Sequence, residues 1–223
     1  MRRQMTAEAI GTALLLYLVV GSGIAAERLG QDASSQLLAH ALSIGLGLGV
    51  LIAIFQTVSG SHFNPSVTIG MWRTGHLDRN SGIRYVSAQV GGAVVGVIGA
   101  HVSFDVAVVS ISRTARGGAG LVLAEGVATF VLVLVILALV RTGRSAQVPV
   151  AVGAWVASVV FATSSSGFAN PAVTLARVFT DSYTGIAPGS VAGFLAIQLI
   201  AGFAAPYLAS HLFPDQVQSV PAT

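Results

Sequence analysis

Ser59-Gly60-Ser61-His62-Phe63-Asn64-Pro65-Ser66-Val67-Thr68 is answered later in the chain by Ser166-Gly167-Phe168-Ala169-Asn170-Pro171-Ala172-Val173-Thr174. Each stretch interrupts an apolar region with a glycine-containing turn. Each then runs through Asn-Pro, a small residue, Val and Thr. Asn is a favoured helix N-cap and Pro suits the first helical position, so each stretch predicts the start of a short helix. Such a start carries partial positive charge and unpaired backbone N–H groups. The capping Asn uses its carbonyl oxygen on the helix and keeps two amide hydrogens as donors. Two such caps facing each other inside a membrane would offer donors to the oxygen of a neutral polar solute and repel cations.

Working outward, the surroundings are those of a membrane. Of the 223 residues 54% are hydrophobic and 9% charged, against about a quarter charged in a soluble domain. Apolar runs of bilayer length recur, at about 6–26, 37–58, 83–103, 119–140, 148–163 and 189–212, which predicts an all-α membrane protein with six spans. The two Asn-Pro helices add two half-spans, ending near Trp72 and Phe179. The reading is a single transmembrane domain over 1–212, with halves of about 6–103 and 119–212, and a C-terminal tail over 213–223. The connection Phe104 to Gly118 is expected to be a loop, although Val106 to Ile111 has strand-like composition. Met1-Arg2-Arg3 before an apolar run has the look of a signal peptide. The run is long, contains Glu8 and has a counterpart downstream, which favours a span.

Every basic residue among the 11 is Arg. They gather at segment ends, which reports orientation and speaks against a nucleic-acid partner. Arg2, Arg3, Arg73, Arg79, Arg84, Arg141 and Arg144 fall on one side, and Arg28, Arg113, Arg116 and Arg177 on the other. The positive-inside rule then places both termini in the cytoplasm. Cysteine is absent, which excludes disulfides and thiolate metal sites. Glu8, Asn64 and Gln89 in the first half answer to Glu125, Asn170 and Gln198 in the second. Three spans per half make the second half inverted, an arrangement used by transport proteins whose broken helices meet near the midplane. Gly45/Gly49 and Gly92/Gly96 are spaced for close helix packing.

Ser-Gly-Ser-His-Phe-Asn-Pro-Ser-Val-Thr, Gly-Phe-Ala-Asn-Pro-Ala-Val-Thr and the repeat together resemble the aquaporin, or major intrinsic protein, family. The resemblance covers Glu8 to about Pro206. The usual signature is Asn-Pro-Ala twice, and here the first site, Asn64-Pro65-Ser66, differs mildly from the second, Asn170-Pro171-Ala172. The resemblance implies a channel for small uncharged solutes such as water and glycerol. The second turn is similar to that of bacterial members associated with arsenic resistance, which adds neutral metalloid acids such as arsenous acid. It also implies a homotetramer in the cell inner membrane.

The same resemblance locates a selectivity filter at four positions: Ile44, Ser158, Gly167 and Val173. The family's usual Arg stands at the last of these, and this chain has Val. The ring therefore lacks a charge and a large aromatic, and is expected to be wider and more apolar than a water-selective constriction. Arg177 lies one helical turn beyond Val173 on roughly the same face. It is read either as a displaced filter cation at the external mouth or as a partner of Asp181.

Glu8 and Glu125 are the acids inside spans. An intramembrane acid is a functional hypothesis by default, here proton coupling. Their paired placement favours accepting hydrogen bonds from the broken backbone, and the resemblance implies that same bracing role. His62 is expected to fix its loop, with pH sensing as the alternative. Gln89 and Gln198 are read as structural hydrogen-bonding residues. His40 and His101 have no second ligand at metal spacing, so no metal is expected. No nucleophile–base arrangement and no phosphate loop is visible, so neither enzyme activity nor a cofactor is expected. A proton-coupled transporter using Glu8 or Glu125 is the alternative class.

Overall fold

The computed structural model describes residues 1–30 and 32–214. Its long helices are α1 (Arg2–Leu29), α2 (Ala33–Ser59), α4 (Arg79–Ser103), α5 (Ala119–Arg141), α6 (Val148–Ala162) and α8 (Pro188–Leu212). With a one-turn 3₁₀ segment leading into α6, these make six helices long and apolar enough to cross a membrane. The two short helices are α3 (Pro65–Arg73) and α7 (Pro171–Ala176), the latter extended by a 3₁₀ turn to Phe179. The six expected spans and two half-spans are thus present in order. The part of the expected tail beyond residue 214 lies outside the described residues.

The helices extend past the apolar runs at ends set by caps. The Asp32 side chain accepts from the Ser34 and Ser35 backbone N–H groups, and Asp78 accepts from that of Ser81. These start α2 and α4 about four residues before their apolar runs begin. Most of the stretch 27–36 between the first two apolar runs is consequently helix.

Small residues set how the helices cross. A Cβ on Gly92 would lie 2.2 Å from the Ala9 carbonyl oxygen, and one on Gly96 would lie 2.1 Å from that of Ala13. The backbones of α1 and α4 therefore touch. Gly45 of α2 stands against Gly153 of α6 in the same way, with a Cβ at 2.5 Å from the Gly153 oxygen. In lipid the drive to associate comes from such packing rather than from water exclusion. The outward faces are apolar: Leu38, Leu42, Leu46, Val50 and Ile54 form an exposed stripe along α2. The connection after α4 is a loop, as expected, but it is not free of the core. Its Ser110 and Ser112 N–H groups donate to the Phe179 and Val178 carbonyls, which ties it to the segment after α7.

Candidate functional site: the facing Asn caps and the cavity beside them

α3 and α7 begin at the two Asn-Pro pairs. Asn64 Oδ1 accepts from the Ser66 N–H at 2.8 Å. Asn170 Oδ1 accepts from Ala172 N–H at 2.9 Å and Val173 N–H at 3.3 Å. Both asparagines have extended backbone, and Pro65 and Pro171 occupy the first helical position. The caps meet. Asn64 Nδ2 donates to the Ala169 carbonyl at 2.7 Å, and Asn170 Nδ2 donates to the Phe63 carbonyl at 2.8 Å. Each amide spends one hydrogen across the junction and keeps one more.

The residue before each Asn is left-handed: Phe63 has φ 48° and Ala169 has φ 48°. This conformation is unfavourable for residues with a side chain. It turns the Phe63 and Ala169 carbonyls toward the opposite cap, and buried carboxylates hold both turns in place. Glu8 Oε1 accepts from Ser59 Oγ at 2.6 Å and His62 N–H at 3.0 Å. Its Oε2 accepts from Phe63 N–H at 2.7 Å and Gln89 Nε2 at 2.8 Å. Glu125 Oε1 accepts from Phe168 N–H at 2.8 Å, and its Oε2 accepts from Ala169 N–H at 2.9 Å and Gln198 Nε2 at 2.7 Å. Gln89 also donates to Thr68 Oγ1, and Gln198 to Thr174 Oγ1. The expected Glu, Asn and Gln counterparts are therefore brought together twice, once per half. His62 pairs through Nδ1 with Thr68 Oγ1 at 3.1 Å and packs edge-on against Tyr85.

A narrow cavity of about 60 Å³ runs beside the junction. One wall is polar, formed by Ser61, His62, Asn64, Ser166, Gly167 and Asn170. The other is aliphatic. Ile44, Leu48 and Ile52 of α2 face Val148, Val152, Val156 and Val160 of α6, with Leu15 and Val19 of α1 and Leu132 and Ile136 of α5. Most of these repeat at a spacing of four, which keeps one face of each helix on the cavity.

Of the four expected filter residues, Ile44, Gly167 and Val173 line this cavity. Ser158 does not. It is exposed on the far side of α6, and its Oγ donates to the Ala154 carbonyl at 2.8 Å. Two residues are about 200° round a helix, so Ser158 points away from the face that carries Val156 and Val160. The cause lies in the turns. Gly60 to Phe63 separates α2 from its Asn, while the longer Thr163 to Ala169 separates α6 from Asn170. A family spacing counted back from Asn170 crosses this irregular stretch, which does not fix the direction of a side chain on α6.

Arg177 is buried at the end of the second half-helix and lines the cavity. Its pairing with Asp181 is not found. Asp181 instead binds Arg113 Nη2 at 2.8 Å and the Arg113 backbone N–H at 3.0 Å. Arg177 Nε donates to the Thr184 carbonyl, and its guanidinium lies 3.4 Å from the centre of the Phe168 ring. Arg116 lies over the same ring at 5.1 Å, and no residue spacing in the sequence signals either contact. His40 and His101 make local contacts, to Ser22 Oγ and to Val108 O with Thr180 Oγ1 respectively. Among the described residues no group of His, Cys, Asp or Glu stands together as metal ligands do.

Six spans with two half-helices meeting cap to cap beside a narrow cavity define an inverted-repeat membrane channel. Residues 1–179 match the family model of the major intrinsic proteins. The chain is 43% identical over 203 residues to an aquaglyceroporin, AqpS, of Rhizobium meliloti, covering 91% of this chain and 87% of that one. It is 38% identical over 95 residues to the glycerol uptake facilitator protein of Escherichia coli, covering 42% of this chain and 32% of the other. The fold is similar to that of the aquaglyceroporin from Plasmodium falciparum, with TM-score 0.72, 21% identity and coverage of 97% and 96%. This chain belongs to the major intrinsic protein family.

Proposed function

We propose that the chain is a passive channel for small uncharged solutes: water, glycerol and neutral metalloid acids such as arsenous acid. The observation that carries this reading is the two-faced cavity, with the remaining Asn64 and Asn170 amide hydrogens on one wall and an unbroken aliphatic face on the other. A glycerol-like solute has hydroxyls along one edge and carbon along the other, and such a passage suits both. In this reading Ile44, Gly167, Val173 and, in place of Ser158, Val160 form the narrowest ring. Its lack of charge favours solutes bulkier than water. Arg177 serves as a displaced cation one turn outward, where it repels cations. The names of the relatives, an aquaglyceroporin and a glycerol uptake facilitator, support water and glycerol among these solutes.

Glu8, Glu125, His62, Gln89 and Gln198 brace the two turns. Both carboxylates already accept hydrogen bonds on each oxygen, which favours bracing over the proton coupling of a transporter. We further propose one channel domain per chain, with both termini in the cytoplasm, in a homotetramer in the inner membrane; the exposed aliphatic stripe of α2 suits lipid or a neighbouring copy. Stopped-flow light scattering on proteoliposomes tests the channel reading with water, glycerol and arsenous acid. Fluxes that follow each solute gradient and ignore a pH gradient are expected. Saturable flux driven by the pH gradient would overturn it.

A further inference from the structure

We infer that the outer end of the cavity is a binding site for a small planar oxyanion, a carboxylate or its like, built on the free edge of the Arg177 guanidinium. The site stands on geometry. Its effect on transport rests on the channel reading above.

A guanidinium carries five N–H donors in a rigid fork and stays charged in proteins. Arg177 is 3% exposed and faces the cavity. It spends Nε on the Thr184 carbonyl, while its two terminal nitrogens find no acceptor among the described residues. No carboxylate pairs with it either: Arg113–Asp181 is the one ion pair among the described residues. Glu125, behind the same turn, spends its oxygens on Phe168 N–H, Ala169 N–H and Gln198.

The fork is held still. Its central carbon lies 3.4 Å from the centre of the Phe168 ring, which holds the group against that face, and Arg177 lines the cavity. A second guanidinium, Arg116, is fixed near the same ring by the Gly185 and Tyr183 carbonyls and adds positive charge. An immobilised fork with two free terminal nitrogens matches two oxygens of a planar anion in a bidentate contact. A neutral solute offers only a dipole there and passes on. An anion pairs with the fork and obstructs the file behind it.

Nitrate is the probe, because it is planar and does not protonate near neutral pH, with chloride at equal ionic strength as the reference. In native protein nitrate should lower glycerol flux saturably, with half-effect on the order of 10 mM for a single wet bidentate contact. It should also raise the thermal unfolding midpoint of the detergent-solubilised protein. Arg177→Lys keeps the charge and loses the fork, and should weaken both responses roughly tenfold. Arg177→Gln should abolish them, each variant being compared with itself in chloride. Formate should reproduce nitrate in the unfolding measurement. If Arg177→Gln fails to fold, the lysine variant carries the test.

Equal behaviour of native protein in nitrate and chloride would overturn the site, as would undiminished responses in both variants. No glycerol flux in chloride, together with a nitrate-dependent unfolding midpoint lost on substitution, would overturn the channel reading and leave the site standing.

Discussion

A carboxylate has acceptor positions on both oxygens, and Glu8 uses both on one turn. Glu8→Gln keeps the shape but replaces one acceptor by a donor, which then faces the donors of Phe63 and Gln89. Two buried bonds are lost, at a cost of about 2–4 kcal/mol. We expect a lower unfolding midpoint in detergent and reduced solute flux, since the turn it holds lines the cavity. The α6 wall gives a second expectation. Val160→Phe should block glycerol flux, while Ser158→Phe, on the exposed face, should leave it near native; paired flux measurements on both variants check this. At this scale the sequence spoke clearly where chemistry is paired. Asn64, Glu8 and Gln89 were legible because each has a counterpart at the matching place in the second half. Ser158 was misread because a side chain's direction depends on the length of an irregular turn. The spacing of the valines at 148, 152, 156 and 160 marks the α6 face that lines the cavity. The Phe168–Arg177 stack was not legible, because it depends on the path of the chain after α7.

Helix ends and crossings are set by a few small or capping residues. Gly96 lets α1 and α4 touch, and Gly96→Val has no room to expand because the obstacle is backbone. Overpacking of this kind costs about 1–3 kcal/mol, and we expect a lowered unfolding midpoint with poor yield of folded protein. Asp78 caps α4, and hydrogen bonds from the Ser81 hydroxyl and backbone hold its carboxyl below the ordinary value of 3.8. A depressed carboxyl contributes stability above its unfolded pKa and loses it as pH falls through the folded one. Asp78→Ala should therefore lower the unfolding midpoint at neutral pH, and the gap from native should close as the buffer is taken below pH 3.8. The elements were readable from apolar length, which reports the lipid-facing stretch of a helix. Their true ends were not, since Asp32 and Asp78 extend helices through polar residues that look like loop.

For the molecule as a whole, the order of spans and their inversion followed from counting, because three is odd and the half-helices are paired. What counting could not supply was the clasp at the centre, where Asn64 donates to Ala169 and Asn170 to Phe63. That exchange has a consequence for biogenesis. The amino-terminal half leaves the ribosome with a cap whose opposite number has not yet been made, and its strained Phe63 carbonyl waits without its donor. We therefore expect the first turn to reach its final form only after the second Asn has been made. Two fragments split within the 104–118 connection and synthesised together should find each other, whereas either one alone should be cleared by membrane proteases.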